Sequence, residues 1–140
     1  MKTLTLIIAL VLSVNLSYAQ DSKTLRNITV TIENIVNNNG HVILGLHTEN
    51  TFMKGEAITS AVSQIVHGKI TVTFENVDSG TYAIMALHDQ NDNKRMDFQD
   101  NGMPKESYGM SNNPINYGPP QFTSAKFDLI DEDLDLKIIF

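Results

Sequence analysis

The chain has 140 residues and carries ten Lys or Arg against sixteen Asp or Glu, a net charge of −6. That length makes one domain, and the acidic balance excludes a nucleic-acid partner, because phosphate binding depends on clustered Lys and Arg. There is no cysteine, which excludes disulfide staples, a lipid-anchored cysteine and thiol catalysis.

The first nineteen residues read as a cleavable export signal. Lys2 supplies a short positive region, Leu4 to Leu16 is an almost unbroken apolar run, and Ser17-Tyr18-Ala19 is a small-x-small cleavage site. The apolar run is too short for an ordinary membrane span. The expected division is therefore a signal peptide over 1–19 and one domain over 20–140, secreted into the periplasm or the extracellular medium, with no membrane span left after cleavage. Removing 1–19 takes away Lys2 alone and leaves nine basic against sixteen acidic side chains.

The domain then reads as a succession of strands. Ile28 to Ile32 alternates strictly, the period of a half-buried strand. Asn37-Asn38-Asn39-Gly40 predicts a turn. His41 to Thr48 follows, with Val42, Leu44 and Leu46 on one face, and the two runs together predict a hairpin. Glu49 to Glu56 is polar and predicts a crossing at a sheet edge. Ala57 to Val66 is a further strand of poor period. His67-Gly68 turns the chain into Lys69 to Phe74, with Ile70, Val72 and Phe74 inward. After the turn Val77–Gly80, Thr81 to Leu87 is apolar on both faces, which suits a central strand.

His88 to Pro120 is the least ordinary stretch. Oxygen-bearing side chains stand at Asp89, Asn91, Asn93, Asp97 and Asp100, positions one, three, five, nine and twelve of a twelve-residue loop, with the Arg95 carbonyl at position seven. A hard cation takes six to eight oxygens, and this spacing supplies them, so Ca²⁺ is the expected ligand. Lys94 occupies the position where a tight ion loop favours Gly, and Asp100 is shorter than the Glu usual at position twelve. The competing reading is a solvated Asn/Asp turn, since these residues bond their own backbone.

From Phe98 to Gln121 there is no periodicity. The segment holds Pro104, Pro114, Pro119 and Pro120, with Met103, Tyr108, Met110 and Tyr117 to fold it back onto the sheet. A loop this long in a compact domain is usually functional or disordered. Tyr108, Asn112, Asn113 and Tyr117 are its candidate surface-binding residues, with packing the competing role. Phe122 to Ile130 and Leu134 to Phe140 predict the last two strands around the acidic turn Asp131-Glu132-Asp133. No stretch has helical period. The expected fold is all-β: a single antiparallel β-sandwich of about seven strands with Greek-key, immunoglobulin- or transthyretin-like connections, and a long irregular loop before the last two strands.

Several of these pieces resemble a bacterial family of small exported proteins, the domain-of-unknown-function 2141 family. They are Gly80 to Asp89, Asn91, Asn93 and Asp97, then Gly102-Met103-Pro104-Lys105-Glu106, Tyr108-Gly109, Ser111-Asn112-Asn113 and Gly118-Pro119-Pro120. The resemblance spans nearly the whole domain and departs from the family's usual Gly at Lys94 and at Ser107. It implies export and a β-sandwich but no activity. Phe74 to Tyr82 is also similar to the strand-turn-strand signature of transthyretin-like and carboxypeptidase-regulatory-like sandwiches, which bears on fold rather than function.

Catalytic chemistry finds little support. No Ser sits in a Gly-x-Ser-x-Gly elbow. His88 and Asp89 are neighbours on a strand and point to opposite faces. The four histidines are too scattered for a zinc motif. No residue is assigned a catalytic role. Three functions compete: a non-catalytic exported module whose calcium loop orders a surface for an unknown protein or glycan, a stand-alone envelope structural protein with no functional ion site, and a hydrolase using carboxylates near the loop.

Overall fold

The computed structural model describes residues 24–115 and 118–140, so the export signal and Tyr117 lie outside the described residues. The elements are β1 (Arg26–Ile32), β2 (His41–His47), β3 (Thr59–Gln64), β4 (Ile70–Val77), β5 (Gly80–Asp89), β6 (Tyr108–Met110), the short helix α1 (Phe122–Ala125), β7 (Phe127–Leu129) and β8 (Leu134–Ile138). They form two sheets. One runs β4-β1-β8, and the other runs β3-β2-β5-β6, with β7 also paired to β5. All pairings are antiparallel except β1 with β8, which is parallel.

Alternation along each strand decides what is buried. Ile28, Val30 and Ile32 of β1 pack against Val42, Leu44 and Leu46 of β2, and Ile70, Phe74, Ile84, Leu129 and Ile138 complete the core between the sheets. A second cluster lies on the far side of β5, where Phe52, Ala83, Met110 and Ala125 are buried together. That second cluster is why β5 is apolar on both faces. Strand β5 is the central strand its sequence predicts, flanked by β2 and β6.

Two local expectations give way. Strands β1 and β2 do not form a hairpin: each faces the common core from a different sheet. The connecting Asn37–Gly40 run therefore carries the chain across the sandwich, with Gly40 at φ +63. The stretch Phe122 to Ile130 is not one strand either. It opens as one helical turn, Phe122–Ala125, before β7. Within that turn Ala125 is buried, and its carbonyl accepts the hydroxyl of the buried Ser111. Tertiary anchoring overrides the alternation there.

Turns are closed by specific bonds. The Tyr82 hydroxyl donates to the Asp78 carbonyl at 2.9 Å, which fixes the turn between β4 and β5. Glu33, just past β1, pairs with Lys69 at the entry to β4 and with Lys137 in β8. These two ammonium groups, Lys137 foremost, hold the Glu33 carboxyl below the usual carboxylate range. Among the described residues no helix is long and apolar enough to cross a membrane.

The Asp89 loop as a candidate ion site

Strand β5 ends by delivering His88 and Asp89, both 1% exposed, to the rim of the sandwich. His88 is held as structure: its Nε2 lies 2.9 Å from the Asn39 carbonyl, and its ring stacks on Phe140. Its backbone N–H donates to the Ser107 carbonyl. Gly40 backs directly onto this corner. A Cβ there would sit 1.9 Å from the Asp89 carbonyl oxygen, so only glycine lets the two segments meet.

Asp89 organises the loop that follows. Its Oδ1 accepts the Asn93 N–H at 3.1 Å, and its Oδ2 accepts the Lys94 N–H at 2.7 Å. Asn91 Oδ1 also accepts the Asn93 N–H, and Asn93 Oδ1 accepts the Arg95 N–H. These are Asx turns, in which a short polar side chain mimics a backbone turn. They curl the chain so that Asp92 and Lys94 both take left-handed φ, +60 and +63. Asp92 Oδ1 lies 2.6 Å from Nδ1 of His41.

The curl gathers most of the expected ligands. The amides of Asn91 and Asn93 both donate to Oδ2 of Asp97, at 2.6 and 2.9 Å. Asp89, Asn91, Asn93 and Asp97 thus form one connected cluster. The Arg95 backbone joins it through its N–H. Asp100 does not join it: its turn is closed by the Gly102 N–H on the Gln99 carbonyl, beyond the Phe98–Pro104 bridge, and it shares a shallow hollow with Gln99, Asn101 and Lys105.

In place of Asp100 the loop meets Glu106, which is 7% exposed. Its Oε1 accepts the Gln90 N–H at 2.9 Å and its Oε2 the Asp97 N–H at 3.2 Å, so one carboxylate clasps both ends of the loop. Spacing within twelve residues could not point to Glu106, since it comes from the chain's return. The only sequence signal for it is its place in the Gly102–Glu106 stretch of the family pattern. Among the described residues no three His, Asp or Glu side chains form a metal-holding group. Oxygen for an ion here would come also from the Asn side chains and backbone.

The long segment after the loop is tied down through its polar side chains. Ser111 Oγ accepts the Ile84 N–H. The Asn112 amide donates to the Lys126 carbonyl at 2.7 Å. Asn113 donates to the Lys137 carbonyl and accepts the Ile139 N–H, both at 2.9 Å, as a neighbouring strand would. Asn112 and Asn113 are therefore anchors of the segment to the sheets. Tyr108, by contrast, is partly exposed and lines a hollow of about 260 Å³ together with Met53, Met85, Met96, Phe98 and Pro120. This hollow is almost wholly apolar, and two of its walls, Met96 and Phe98, belong to the Asp89–Asp100 stretch.

Residues 30–137 match the model of a family described as "Uncharacterized protein conserved in bacteria (DUF2141)". No curated protein and no solved structure matches the chain.

Proposed function

This chain belongs to the DUF2141 family of bacterial proteins, and on that footing we propose that it is an exported, non-catalytic β-sandwich module whose Asp89–Asp100 loop takes Ca²⁺ and orders a partner-binding surface. One observation carries the reading. A buried Asp89 uses both oxygens to curl the loop, and the curl brings Asn91, Asn93 and Asp97 to a common point. Two amide N–H groups aimed at one carboxylate oxygen are the neutral answer to negative charge held at one place. A cation would serve there instead, with each amide turned to offer its oxygen. Asp89, Asn91, Asn93, Asp97 and the Arg95 carbonyl would be its ligands, with Glu106 in the place expected of Asp100 to complete the shell.

The same ion would fix Met96 and Phe98 and so stabilise the apolar hollow that they share with Tyr108. An apolar pocket ringed by methionine and tyrosine suits a protein segment or the apolar face of a sugar. Export follows from the signal-like residues 1–19.

A second reading has its own support. Glu106 and the Asx turns already satisfy the loop internally, which fits an envelope protein in which the loop is a rigid corner and no ion acts.

Thermal unfolding separates the two. Protein treated with EDTA is melted alone, with millimolar Ca²⁺ and with millimolar Mg²⁺. The proposal expects a calcium-selective rise in melting temperature, because a ligand that binds only the folded state stabilises it, and expects that rise to vanish in Asp89→Ala and in Asp97→Asn. A well-folded protein whose melting temperature ignores calcium overturns the ion site and leaves the rigid corner.

A further inference from the structure

The outer face of the larger sheet gathers methionine. Met85 of β5 stands opposite Met110 of β6, and Leu87 opposite Tyr108, so all four share one face. Met110 is buried there with Phe52, and Met85 packs against that cluster. Met53 comes to the same face from the turn before β3, and Met96 comes from the Asp89–Asp100 loop. With Met85 they line the hollow of about 260 Å³ beside Phe98 and Tyr108. Three thioether side chains from three separate segments thus meet round one opening.

Packing alone does not account for them. A methionine that only fills space follows the shape of a gap and closes it, whereas these three leave an opening. Met53 remains 58% exposed and stands at φ +56. Every other non-glycine residue of positive φ among the described residues is Asn, Asp, His or Lys. Met53 is the one apolar side chain held in a conformation that long side chains resist. Strain of this kind collects at ligand sites.

The donor set decides the ligand. No charged side chain lines the hollow, and the Tyr108 hydroxyl is its one polar side-chain group. A hard cation finds too few oxygens there, and zinc finds neither thiolate nor imidazole. The chain has no cysteine, so methionine sulfur is its only soft donor, and soft thioethers select Cu(I). A single positive charge is also less costly to take out of water than a double one. We propose that Met53, Met85 and Met96 bind one soft monovalent cation, Cu(I), through their three thioether sulfurs in this hollow. The site does not rest on the calcium reading, since the loop that carries Met96 is already held by its own bonds to Asp89.

Leucine nearly keeps the volume and apolarity of methionine and removes the sulfur, so substitution separates metal binding from packing. Calcium-free protein, isotopically labelled at its methionine methyl groups, is titrated under argon with Cu(I) kept reduced by ascorbate and held by the chelator bicinchoninate. One ion per chain should pass from chelator to protein. The methyl signals of Met53, Met85 and Met96 should shift, while that of Met103, exposed and outside the hollow, should stay. Silver nitrate should displace the Cu(I), and Zn²⁺ should not. Met53→Leu, at an exposed position, should weaken uptake without changing the melting temperature, as should Met96→Leu. Substituting all three should abolish uptake, whereas Met103→Leu should leave it whole. No transfer from the chelator overturns the proposal. So does stoichiometric uptake that survives the triple substitution, or a Met103 signal that shifts as far as the other three.

Discussion

The Lys94 N–H donates to Oδ2 of Asp89 at 2.7 Å, and Lys94 itself holds φ at +63. A side chain with a Cβ resists that conformation, by about 1 kcal/mol, and glycine does not. Lys94→Gly should therefore raise the midpoint of urea unfolding, by up to about 1 kcal/mol in stability. If the loop takes calcium, the same variant should bind it more tightly in calorimetric titration. A fall in stability would show that the lysine side chain contributes more than its backbone costs.

Glu106 is the clasp of the loop. Glu106→Gln keeps the shape but replaces one acceptor oxygen by a donor facing an N–H of Gln90 or Asp97. Leaving one buried donor unpaired costs about 1–3 kcal/mol. Urea denaturation should show a loss of that size, and amide exchange at Gln90 and Asp97 should accelerate more than exchange in β1.

Ser111 joins two elements through one hydroxyl, accepting from Ile84 in β5 and donating to Ala125 in α1. Ser111→Ala strands both partners and should cost about 2–4 kcal/mol, one buried group at each end. Near-wild-type stability would mean that the helical turn relaxes toward the continuous strand its sequence suggests, and strand content by circular dichroism would then rise.

His47 gives the fold an acid sensitivity. Burial pushes its imidazole below the ordinary value near 6.5, against a weaker opposing bond from Thr51. The ring sits edge-on to Phe52 at 5.8 Å. As pH falls below that value the unfolded chain takes the proton before the folded one does, so this contribution is complete above it and declines below it. Melting temperature should drop as pH falls from 7 to about 5, still above the carboxylate range, and His47→Gln should flatten that drop.

Strands β1, β2 and β4 were legible because alternating burial is written directly into alternating side chains, and β5 because a strand covered on both faces is apolar throughout. Alternation says which face of a strand is buried but not which sheet the strand joins. The Asn37–Gly40 turn could equally close a hairpin or cross the sandwich, and only the shared core of β1 and β2 decides it. The helical turn at Phe122 was hidden for a related reason, since Ser111 and Asn112, a dozen residues away, hold it. In the loop, Asp89, Asn91, Asn93 and Asp97 were readable from spacing, because each acts within a few residues of the next. Glu106 was not, because it arrives from the far side of the Phe98–Pro104 bridge.

Strand β1 sits between β4 and β8, and the bond that starts its pairing with β8, from Asn27 to Asp133, spans 106 residues of chain. The smaller sheet thus waits for a strand made long after its centre. Until β8 docks, β1 has one bare flank and the core lacks Ile138. Such distant closure makes assembly slow, on the millisecond-to-second scale of sandwiches rather than that of helical bundles.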